Sequence, residues 1–293
     1  MNCSSVPVDL LNPGQVFACL GLMEMTEILA GHCKVRFNYA ANETACLFEI
    51  SSQADKPVED AVRFLAQCRV VAVAPDQRSG ERLSAAKWGV ETEEATEGYF
   101  PGAPPDSPAT LPVRLRRDDI EIPIEHWMDG PRVDRDNVKF WAGAGGYPGA
   151  ALARDALSVL PKPDENEWAG LPFDPFSWSA PMDSSFRFDW RRDYIPLDAG
   201  FSPNEQKAVG MVGFPLVEVL AAIGLQNARP ARVQRRDKLS YRYRVSNVWL
   251  PASLARAALG APESGLPVRT FRMQLGWPGK KNQARCIINA EEE

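Results

Sequence analysis

Apolar residues fill most positions from Pro13 to Ala30, with Glu24 and Glu27 three apart on one face, and this density predicts a helix central to an N-terminal core. Asn12 ahead of Pro13 is suited to cap the orphan amides, and Gly31 follows as a stop. Cys33 to Ala40 and Ala45 to Ser51 alternate apolar and polar positions about Ala41-Asn42-Glu43-Thr44, the pattern of a hairpin. After Pro57 the period becomes helical, through Val58, Ala61, Val62, Leu65 and Cys68, and Val70 to Ala74 reads as a strand. Helix, hairpin, helix and strand make an α+β plan.

Beyond that unit the pattern is broken by long irregular stretches. Glu91 to Ser107 is acidic and then rich in Pro and Gly, which predicts a mobile excursion and a first candidate boundary. The chain then divides into an acidic α+β unit, 1–107, and a strand-rich unit, 108–293, although 293 residues also suit one large domain. Strands are expected from Leu111 to about Trp141 and a helix from Ala150 to Leu160; Pro161 to Pro181, with five prolines, reads as a long ordered loop. Ser185 to Tyr194 alternates like a strand, and Asn204 to Leu225 predicts a helix kinked or broken at Pro215. From Lys238 to Asn289 the pattern is that of an antiparallel sheet with a short helix, Pro251 to Leu259, inserted.

Charge changes the picture of the two ends. The whole chain carries 33 basic and 38 acidic residues, but Met1 to Val113 holds 8 basic against 15 acidic, and Arg229 to Arg285 holds 13 against 2. Met1 to Leu11 has no basic residue and is interrupted by Pro7 and Asp9, so no secretory signal is expected there. Val209 to Leu225, the most apolar stretch, contains Pro215 and Glu218 and fits a buried helix better than a bilayer span. The six cysteines form no C-x-x-C pair and only two histidines, His32 and His126, are present, so the thiols read as reduced groups in a cytoplasmic protein.

Sites of chemistry are sparse. Gly143-Ala-Gly-Gly-Tyr-Pro-Gly149 lies between an expected strand and an expected helix, where amides bare of side chains can approach a phosphate. Its spacing, G-x-G-G-x-x-G with no G-K-[ST], matches no nucleotide fingerprint well, and no cofactor is expected. Glu24 with Glu27, and Asp189 with Asp193, are the best carboxylate pairs for metal or acid/base work, yet neither has a nearby His or third acid. His126 offers the one candidate general base for a metal-independent ribonuclease. No catalytic set emerges.

The basic third is more informative because its charges are arranged. From Leu239 to Trp249 the apolar residues Leu239, Tyr241, Tyr243, Val245 and Trp249 share one parity and Arg242 and Arg244 the other; from Val268 to Trp277, Phe271, Met273 and Leu275 oppose Arg272 and Gln274. Paired strands of this kind place Arg242, Arg244, Arg272 and Arg285 on one open cationic face. Arg229, Arg232, Arg235, Arg236 and Lys238 before it, and Lys280 and Lys281 in a turn, add charge at the rim. Such a surface suits a polyanion held by its phosphates, or an acidic protein surface.

Pro7-Val-Asp-Leu-Leu-Asn-Pro-Gly-Gln-Val-Phe-Ala-Cys-Leu-Gly-Leu-Met-Glu24 resembles the N-terminal signature of proteins of type I-U (I-G) CRISPR–Cas systems, in particular the small Csb-type subunit. Phe188-Asp-Trp-Arg-Arg-Asp-Tyr194, Ala221-Ala-Ile-Gly-Leu-Gln-Asn-Ala-Arg-Pro230 and Leu275-Gly-Trp-Pro-Gly279 resemble the same subunit, so the likeness touches both ends of the chain. The resemblance implies a place in an RNA-guided antiviral effector, a ribonucleoprotein holding guide RNA and capturing target DNA alongside other subunits. It transfers no catalytic residue. A CRISPR RNA-processing nuclease built on His126, or a nucleotide-binding enzyme built on Gly143 to Gly149, is the alternative.

Overall fold

The computed structural model describes residues 2–39, 46–84, 88–100, 110–128, 148–182, 184–193, 211–261, 265–277 and 285–293. Val6 and Val8 alternate with exposed Ser5 and Pro7, and this period of two builds the first strand, β1 (Asn2–Val8). The apolar helix follows as α1 (Pro13–Ala30), stopped at Gly31 with φ 79°, and then β2 (Lys34–Tyr39) and β3 (Cys46–Ser52). The predicted hairpin forms, its turn lying outside the described residues. β3 pairs antiparallel with both β1 and β2, so these two run parallel on either side of it with α1 as their crossover. Val6, Phe37, Phe48 and Ile50 are buried, β1 and β3 packing on α1 and β1 also on the amphipathic α2 (Pro57–Gln67).

A second sheet takes over from β4 (Arg69–Ala74). A short helix, α3 (Gln77–Ser84), carries the chain to β5 (Glu91–Glu94), which pairs in parallel with β4; β6 (Val113–Arg117) and β7 (Ile120–Ile124) complete the order β5-β4-β6-β7. The segment from Glu91 therefore begins as a strand and not as a mobile excursion. Its four residues show no apolar period because its charges face charges: Arg69 pairs with Glu91, and Arg116 with Glu93 and Glu121.

The chain continues through α4 (Gly149–Ser158), an ordered loop that buries Trp168, Leu171 and Phe176, then β8 (Ala180–Met182), β9 (Met211–Gly213) and α5 (Pro215–Gly224). Pro215 starts α5, where its missing N–H costs nothing, and does not kink a longer helix. The last elements are β10 (Ala231–Arg232), β11 (Ser240–Ser246), β12 (Leu250–Pro251), α6 (Ala252–Gly260), β13 (Val268–Gly276) and β14 (Cys286–Glu292). β12 adds to β2, and β4 pairs with β6, so strands from both sides of residue 107 share sheets. The molecule is an α+β protein. Among the described residues no helix is long and apolar enough to cross a membrane.

Two features fasten the centre. α1 and α5 touch backbone to backbone, since a Cβ on Gly21 would stand 2.0 Å from the Leu220 carbonyl oxygen and one on Gly224 2.1 Å from that of Phe17. Beside this crossing lies a polar node. Asn12 makes no side-chain cap on α1; its Nδ2 instead donates to buried Asp189 at 2.9 Å. The Glu218 carboxylate, also fully buried, accepts the amides of Phe188 and Asp189, each at 3.1 Å. Residues 185–193 are thereby held as an irregular loop, with Arg187 at φ 69°, and not as the expected strand, because the first turn of α5 takes amides that a strand would offer to a neighbour.

Candidate nucleic-acid interface

Sheet order β10-β11-β13-β14 realises the amphipathic reading of the basic third. Tyr241, Tyr243, Val245, Phe271, Met273 and Leu275 are all buried. Tyr243 stacks on Phe271 at 5.3 Å, meets Phe17 of α1 edge-on at 6.1 Å, and donates its hydroxyl to the Leu10 carbonyl at 2.7 Å. One face of the sheet is thus anchored on α1.

The opposite face carries the arginines. Arg242 and Arg272 are cross-strand partners, and Arg244 faces Thr270. Like charges directly opposite each other are unfavourable without counter-charge, and β14 supplies it. Glu291 stands opposite Arg272, and both guanidinium nitrogens Nε and Nη2 of Arg242 reach the Glu293 carboxylate, the second at 3.0 Å. The hydrogen bond from Arg242, followed by the charges of Arg242, Arg272 and Arg244, holds the Glu293 carboxyl below its usual range. Arg244 is half-buried; burial first, and then Arg242, lowers its own proton affinity, and its Nη1 donates to the Gly260 carbonyl at 3.3 Å. The open cationic face expected from the alternation is therefore partly neutralised by the chain's own glutamates.

Exposed charge lies at the edge. Val233 donates to the Ser240 carbonyl and Asp237 to that of Gln234, closing a turn that puts Arg235 and Arg236 at its exposed tip. Arg232 is held by its Nη1 on the Arg235 carbonyl, 2.8 Å, and Lys238 is exposed. Among the described residues no carboxylate pairs with the side chains of Arg235, Arg236 or Lys238. Arg285 sits partly buried immediately before β14, and Lys280 and Lys281 lie outside the described residues. The structure brings Arg242, Arg244 and Arg272 onto one face, with the Arg235–Arg236 tip on the adjoining edge hairpin.

The other candidates are structural in their surroundings. Glu24 receives a bidentate Arg256 at 2.6 and 2.8 Å and Asn227 at 2.9 Å, while Glu27 accepts the Cys33 amide at 2.6 Å. Asp189 accepts Arg191 as well as Asn12, and Asp193 exchanges backbone and carboxylate bonds with Val212. His126 is 5% exposed, packs on Trp127 at 5.0 Å and donates its backbone amide to Gln226 at 2.9 Å. Gly143 to Tyr147 lie outside the described residues; Gly149 opens α4. Among the described residues no three His, Cys, Asp or Glu side chains converge to hold a metal ion.

Sequence reasoning missed Glu291, Glu293 and Glu218. The acid run Glu291-Glu292-Glu293 directly after an alternating strand was a readable signal for the first two. No family model, curated protein or solved structure matches the chain.

Proposed function

We propose that this chain is a non-catalytic nucleic-acid-binding subunit of a CRISPR RNA-guided antiviral effector, contacting guide RNA or target DNA through phosphates. The observation that supports this reading is the exposed Arg235–Arg236 tip on the edge hairpin of a sheet that also presents the Arg242–Arg272 pair. Guanidinium forks suit phosphate oxygens, and phosphate contacts carry no base information, so binding through them is sequence-tolerant and falls steeply with salt. The acid-rich N-terminal half supplies contacts to neighbouring subunits in the same proposal.

The test is fluorescence anisotropy with a labelled 20-nucleotide RNA and a 20-base-pair DNA duplex, each in two unrelated sequences, between 50 and 200 mM salt. The proposal expects binding that is alike for the two sequences and weakens by at least about tenfold across that range, as several phosphate contacts require. Absence of binding at the lowest salt, or binding indifferent to salt, would contradict it.

A further inference from the structure

The Arg242–Glu293 contact is shaped like an anion complex. Both carboxylate oxygens of Glu293 are engaged by Nε and Nη2 of one guanidinium, the same fork that takes two oxygens of a phosphate. Arg272 lies directly across from Arg242, with Glu291 on its other side. Glu293 also lies within the field of Arg272 and Arg244. β14 is the edge strand of the sheet, and residues 291–293 are exposed, so these carboxylates can leave without uncovering the apolar face.

We propose that the Arg242 fork, flanked by Arg272, is a phosphate seat, and that Glu293, with Glu291 across from Arg272 adding negative charge beside it, is its built-in occupant, which a nucleic-acid backbone must displace. This rests on the polyanion reading above and adds regulation to it: the chain's own acids set a threshold that weak or isolated anions do not pass, whereas a backbone also held at the Arg235–Arg236 tip does. Asp237, whose carboxylate accepts the Leu239 amide at 2.8 Å and feels Arg272, stays in place as part of the turn.

The same labelled RNA and duplex DNA test this with E291Q/E293Q, with E94Q/E97Q as an equal change of net charge at exposed residues on other elements, and with R242A. E291Q/E293Q is expected to bind about threefold to tenfold more tightly than wild type. Its salt slope should be steeper by roughly 0.7–0.9 for each arginine released, and E94Q/E97Q should stay within about twofold. R242A should bind more weakly and lose the benefit of the added E293Q. Wild-type binding with E291Q/E293Q no tighter than E94Q/E97Q overturns the displacement while leaving the nucleic-acid reading intact. Binding by none of the proteins overturns both. Unchanged far-ultraviolet circular dichroism is the check that the glutamine variants remain folded.

Discussion

Asp189 and Glu218 are wholly buried and held by donors from two segments, whereas Arg242, Arg244 and Arg272 stand on a sheet face whose counter-charges are partly exposed glutamates. The buried set joins the start of α1, the loop 185–193 and the first turn of α5, and every bond in it replaces a lost contact with water. Opening it leaves polar groups stranded, so it acts on the fold. The exposed set has Arg242 at 36% and Glu293 at 28% side-chain exposure, so water replaces either partner at little cost. Exchangeable charge suits a ligand; committed charge suits a joint.

The strongest way to break this comparison is at the backbone crossing that the buried node buttresses. Gly21→Ala would force a methyl to within 2.0 Å of the Leu220 carbonyl oxygen, and we expect a loss of about 3 kcal/mol or more, measured by urea denaturation. Gly170→Ala, whose added carbon meets nothing within 4 Å, should stay within about 0.5 kcal/mol of wild type. Equal effects of the two would remove the α1–α5 contact from the account.

Next in size is Glu218. Glu218→Ala strands the amides of Phe188 and Asp189 and should cost about 1–3 kcal/mol for each that finds no new partner. Burial, opposed by those two amides, pushes the Glu218 carboxyl up to about 7 from 4.5. Between these values the folded state holds the proton more tightly than the unfolded chain, so stability from this group is full below about 4.5 and falls as pH rises toward 7. Glu218→Gln, neutral throughout, should remove that decline, while its NH2 group, which cannot accept, leaves one of the two amides unpaired at every pH. A wild-type melting temperature that rises from pH 5.5 to 7.5 by an amount Gln does not alter would contradict the assignment.

On the other side of the comparison the expected stability effect is small. Arg242→Ala should change folding free energy by less than about 1 kcal/mol, the range for an exposed ion pair, while weakening nucleic-acid binding. A loss several times larger would make the arginine face structural.

What the sequence revealed follows the same division. α1 was legible from the density of its apolar residues, and the β2–β3 hairpin, α2 and the amphipathic β11 and β13 because one-sided burial imposes a period on the chain. β5, the four polar residues Glu91–Glu94, and the two-residue β12 carry no period and are specified by partners distant in sequence. The Asn12–Asp189–Glu218 node was invisible for the same reason: its members are 29 and 177 residues apart. The arginine parity was read correctly, but the charge count ended at Arg285 and left out Glu291 to Glu293, the residues that β14 folds back onto it.

The central claim is that the exposed arginines bind a phosphate backbone, and the slope of log affinity against log salt measures it most directly. Replacing Arg235, Arg236 and Arg242 by Ala together, with half-buried Arg244 left in place, should lower affinity alike for unrelated sequences. The slope should shrink by about 0.7–0.9 for each phosphate contact removed, while the melting temperature stays within a few degrees of wild type. An unchanged slope in a folded triple variant would contradict the claim and assign this surface to an acidic protein partner.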